Sequence, residues 1–137
     1  MAEIEMLMLA NHAEALNGLL YLSGAGWNVV TRSYTGGENP QPHHFGIALS
    51  VLVGWNETHH PHTVNVAIET EDGAELWSLA GELEVRRPPE HPPGTDLRAV
   101  LALMVTFSFP GPGGYRVVTR TGDAHRMTSF RVVDHVA

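Results

Sequence analysis

An all-β fold, an immunoglobulin-like antiparallel β-sandwich of about eight strands in a single domain, is predicted by three features of the sequence. Several segments alternate apolar and polar residues with period two, none sustains a helical period over three turns, and turn signals recur at regular intervals. Strands of this kind bury their apolar faces by packing two sheets together. The chain of 137 residues is the size of one domain, and it has no cysteine, so the paired cysteines of immunoglobulin domains are missing.

The elements follow in order. Glu3 to Ala10 reads as a first strand, apolar on both faces from Met6 to Leu9. For residues 11–18 two readings stand. Asn11 with Glu14 can cap one helical turn ended by Gly18, or Asn17-Gly18 can turn a hairpin between Leu16 and Leu19. The hairpin is preferred, because so short a helix is marginal alone. Leu19 to Ser23 is a short strand, Gly24-Ala25-Gly26 a bend, and Trp27 to Ser33 a continuation with Trp27, Val29 and Thr31 on one face. YTGGENPQP, residues 34–42, is a loop.

The long central pair runs from His43 to Thr70. Phe45, Ile47, Leu49, Val51 and Val53 give one large apolar face; the opposite face, Gly46, Ala48, Ser50, Leu52 and Gly54, is mostly small. Val64, Val66 and Ile68 alternate with Thr63, Asn65, Ala67 and Glu69, the pattern of a strand with one buried and one wet side. Glu71-Asp72-Gly73 turns the chain, and Glu75 to Arg87 returns as a long strand bent at Gly81. RPPEHPPG, residues 87–94, cannot pair in a sheet and reads as a stiff crossing between sheets. Asp96 to Phe109 is the most apolar strand, expected to be buried on both sides from Val100 to Val105, and Tyr115 to Val133 forms a closing hairpin around Thr121-Gly122-Asp123.

Composition narrows the function classes. Fifteen acidic residues against eight basic ones give a formal charge of −7, with no basic stripe for nucleic acid or an anionic membrane surface. All eight basic residues are arginines, which removes Schiff-base lysines and the phosphate-loop lysine. The N-terminus, MAEIEMLMLAN, has neither the basic flank nor the apolar run of a signal peptide or membrane span, so a cytoplasmic location is expected.

Nine histidines make metal chemistry the first question. His43 and His44 precede the strand Phe45 to Gly54 and His59, His60 and His62 follow it, so ten residues at ~3.3 Å each hold the two groups roughly 30 Å apart. The proline-rich crossing returns to the second group's end. That places His60, His62 and His91 as candidate ligands of a divalent metal, with Glu57, His59 and Glu90 nearby as further ligand or base. Gly54, His60 and His62 also match the opening of a cupin pattern, but Glu69 stands too far along and no later glycine-histidine block repeats it. Trp55, Glu57 and His59 form a candidate ligand-binding loop, with Trp55 available for stacking. The alternative for the histidines is a set of solvated loop residues.

The segments NGLLYLSGAGW, WNETHHPHTVNVAIETEDG, PGGYRVV and SFRVV together resemble a bacterial family of small proteins catalogued as a domain of unknown function. The resemblance spans nearly the whole chain; it implies a β-sandwich and brings no assigned activity. The expected role is a non-enzymatic binding or assembly module, a homodimer or the partner of another protein through an exposed strand or apolar face. A small metal-dependent enzyme using the 55–62 loop and the 88–94 crossing is the alternative.

Overall fold

The computed structural model describes residues 2–137 and shows nine strands among them. They are β1 (Glu3–Leu16), β2 (Leu19–Ala25), β3 (Val29–Tyr34), β4 (His43–Val53), β5 (Pro61–Thr70), β6 (Glu75–Glu84), β7 (Leu97–Phe107), β8 (Gly113–Thr121) and β9 (Ala124–Val136). Two sheets form, one in the order β2-β1-β4-β7 and the other β3-β9-β8-β5-β6. Every pair is antiparallel except β3 with β9, which run parallel, as strands distant in sequence can.

Asn17 and Gly18 settle the first ambiguity. Both have positive φ, 52° and 76°, and Leu16 faces Leu19 across them, so β1 runs on to Leu16 and turns as a hairpin without any helical turn. In the next segment the sequence expectation gives way. The strand begins at Val29, with Val30 buried and Val29 exposed. Gly26, at φ 91°, redirects the chain before the strand starts, so Trp27 and Val30 both turn inward although they are three residues apart. Trp27 packs edge-on against Phe45 and Phe130.

The core lies between β4 and the second sheet. Phe45, Ile47, Leu49, Val51 and Val53 are fully buried, and Val64, Val66, Ile68, Val117, Phe130 and Val132 pack against the same cluster. Each such side chain contributes about 1.5–3 kcal/mol of transfer free energy. On the small face of β4, Gly46, Ala48 and Ser50 are buried too. Beyond Ala10 the β1–β2 hairpin bends over it, so that a Cβ on Gly46 would lie 2.8 Å from both Cβ and N of Ala13. The Ala13 N–H then reaches across β4 to donate to Sδ of Met104 on β7, at 3.4 Å.

Two later expectations are corrected. β6 ends at Glu84, three residues before Arg87, where the proline-rich crossing takes over. β7 spans Leu97–Phe107, and its residues 99–104 are half-buried, not enclosed on both sides. The reason is its place in the sheet: β7 is a terminal strand, with β4 on one side only. Across the sandwich from it stands β6, the terminal strand of the other sheet.

Candidate functional site

The loop joining β4 to β5 is tightly braced. Gly54 leads into a single 3-10 turn, Trp55–Glu57, closed by the Glu57 N–H donating to the Gly54 carbonyl at 2.9 Å. Thr58 is buried; its hydroxyl donates to the Trp55 carbonyl at 2.8 Å and accepts from Arg87 Nε at 2.8 Å. Arg87 Nη2 donates to the same Trp55 carbonyl at 2.6 Å, and the guanidinium lies 4.1 Å from the centre of the Trp55 ring. His59 adopts φ 64°, which aims its N–H at the Val85 carbonyl, 2.8 Å away, and ties the loop to the end of the β6 segment.

The crossing does come over this loop, since the His91 ring lies parallel to Trp55 with centroids 6.3 Å apart. The histidines nevertheless face separate partners. His62 Nε2 donates to the Glu57 carbonyl at 2.8 Å and His91 Nε2 to the Asp96 carbonyl at 3.1 Å, while His60 is exposed. Among the described residues no group of three His, Cys, Asp or Glu side chains is gathered to hold a metal, so His60, His62 and His91 are not brought to one point. Trp55 likewise has its neighbours from within the chain, Arg87 and His91.

A second polar cluster borders a recess of about 650 Å³ between the 34–41 and 108–112 segments. Arg32 donates through Nε and Nη2 to Asp134 Oδ1 and Oδ2, at 2.6 and 2.8 Å, and through Nη1 to the Phe109 carbonyl at 2.9 Å; the Tyr34 hydroxyl donates to Oδ2 at 3.0 Å. The hydrogen bonds from Arg32 hold the Asp134 carboxyl below its ordinary value against the opposing effect of burial. Each guanidinium nitrogen is engaged by the protein, which makes the cluster a clamp joining β3, β9 and the end of the β7 segment.

The remaining concavity is apolar. Where β6 and β7 face one another, the sheets leave a cleft of about 220 Å³. Its walls are Leu79 and Leu83 on β6 and Leu101 and Leu103 on β7, with Leu49 and Val66 as its floor. Pairing fixes these orientations: Leu79 is opposite the buried Val66, and Leu101 and Leu103 are opposite the buried Leu49 and Ile47. All therefore point toward the other sheet. Leu79 is still 50% exposed, and the neighbouring inward position is Gly81, where an added Cβ would meet nothing within 4 Å. Sequence reasoning missed this cleft; its signal was the segment 100–105, apolar on both faces, on a strand that the topology then leaves at an edge.

Taken together these features define a two-sheet sandwich with an apolar seam open along one side. Residues 5–133 match a family of unknown function, DUF6941, and the chain belongs to that family. No curated protein matches it. Among the described residues no helix is long and apolar enough to cross a membrane.

Proposed function

We propose that the protein is a non-enzymatic binding or assembly module whose contact surface is the open side between β6 and β7. One observation carries this reading: the most apolar strand of the chain is a terminal strand. Edge strands in proteins that stay alone are blunted by lysine, proline, bulges or short length. β7 has eleven residues, pairs with β4 without a register shift, contains neither lysine nor proline, and carries one charge, Arg98, near its start. The polar groups elsewhere support the same reading, because Arg32, Arg87, His62 and His91 are engaged with the protein's own carbonyls, hydroxyls and carboxylates.

Nile red, a neutral dye that brightens in apolar surroundings, tests the surface directly. In dilute solution it is expected to brighten on the wild-type protein and to lose most of that signal on Leu79→Glu, whose side chain is already half in solvent and whose fold is checked by circular dichroism. Brightening that Leu79→Glu leaves intact would place the apolar surface elsewhere and overturn the assignment.

A further inference from the structure

We infer that the occupant of the open side is a second copy of this chain, its β7 pairing antiparallel with the first copy's β7 about a two-fold axis. This rests on the contact surface proposed above and names its partner.

The shape of the vacancy specifies a strand. β7 offers the unpaired N–H and C=O groups of its outer edge over eleven residues, and backbone groups of that kind are satisfied by another strand laid alongside. The entering strand must be apolar on both faces. Its inner side chains would enter the cleft beside Leu101 and Leu103, and its outer ones would lie beside Val100, Ala102 and Met104, which the β1–β2 arm half covers within its own chain. Within the chain β7 itself meets that description, so the edge is complementary to its own copy.

Symmetry then closes the cleft. Two identical antiparallel neighbours are related by a two-fold axis perpendicular to their sheet, which keeps the same face of both copies on the same side. The second copy's β6 therefore arrives opposite the first copy's β6, and the two clefts meet. Leu79 and Leu83 of each copy gain an apolar neighbour where each now faces solvent.

Charge and area agree with this pairing. Two chains of formal charge −7 repel, so contact is favoured where neither presents a carboxylate. Residues 97–107 contain none, whereas the β6 segment bears Glu75, Glu82 and Glu84. Glu82 borders the cleft, but alternation with Gly81 and Leu83, whose partners are on the inner face of β5, turns its carboxylate to the opposite face of β6. An eleven-residue strand is ~36 Å long, and two layers ~10 Å apart with side chains outside them are roughly 20 Å deep. That end face of ~700 Å² approaches the ~800 Å² per partner of stable protein interfaces.

The absence of cysteine makes the geometry addressable. Val100→Cys and Ala102→Cys, made singly, each place one thiol on the outer face of β7, and Met127→Cys places one on the exposed face of β9, in the other sheet, as a control. Sedimentation of the wild type is expected to give twice the 14.9 kDa of one chain, and Ala102→Lys, folded by circular dichroism, to give one chain. Mild oxidation is expected to cross-link at least one β7 variant, the residue nearest the axis fastest, and to leave Met127→Cys uncross-linked. A wild type that stays monomeric, a dimer indifferent to Ala102→Lys, or cross-linking at none of the β7 positions would overturn the inference. A monomer that still loses its Nile red signal with Leu79→Glu would leave the contact surface standing with a different occupant; a monomer without that loss would remove both.

Discussion

Glu69 is 4% exposed on the side of β5 turned away from the core. Arg116 Nε donates to its Oε1 at 2.9 Å and Arg120 Nη2 to its Oε2 at 3.1 Å, so the two arginine stems lie along the sheet and shield Ala67 and Val118, both fully buried. Burial pushes the Glu69 carboxyl up, and the hydrogen bonds from Arg116 and Arg120 more than offset it, leaving the group below its ordinary value. A carboxyl lowered in the folded state adds stability that is complete above the unfolded value and disappears as the pH falls through the folded one. Asp134, lowered by Arg32, acts in the same direction. Stability is therefore expected to fall as the medium becomes more acidic than the usual carboxylate range. Glu69→Gln should cost about 1–2 kcal/mol at neutral pH and flatten that acid limb, as read by urea unfolding across pH. Acid limbs of equal slope in the two proteins would show that Glu69 is not a source of the pH dependence. In the sequence Glu69 falls on the wet side of an alternating strand, which is correct for its direction. Its burial was not legible, because the arginines that cover it lie 47 and 51 residues away.

The elements were legible to the extent that a local pattern decided them. The large face of β4 and the Asn17-Gly18 turn follow from alternation and from backbone φ, and both stand in the structure. The small face of β4 had no local explanation. Gly46 lets the bent arm of the β1–β2 hairpin approach, and the arm buries Ala48 and Ser50 along with it. Gly46→Ala should therefore cost about 1–3 kcal/mol, measured as a fall in Tm. Ala13→Gly should restore only part of this, since the Ala13 backbone N lies as close to the added Cβ as the Ala13 Cβ does. Full restoration, or no initial cost, would mean that the hairpin is not held down at that point. The histidine loop shows the opposite limit. Counting residues along strands brought Trp55 and His91 to one end of the sandwich, but the directions of the rings depend on carbonyls at Glu57 and Asp96 that no spacing rule selects.

At the scale of the whole molecule, β7 is where sequence and structure pull apart. Its residues read as a strand enclosed on both faces, and the topology leaves it at an edge beside an open apolar cleft. The β1–β2 arm covers part of its outer face, and the proposed pairing with a second copy would supply the neighbour that its free edge and inner face lack. Amide hydrogen exchange along β7 tests this most directly. In a strand paired on one side, alternate N–H groups bond to β4 and the intervening ones face outward. With the edge covered, both sets are expected to exchange slowly in concentrated wild-type protein, and the outward set alone to become fast on dilution or in Ala102→Lys. An outward set that exchanges fast at every concentration would contradict the account.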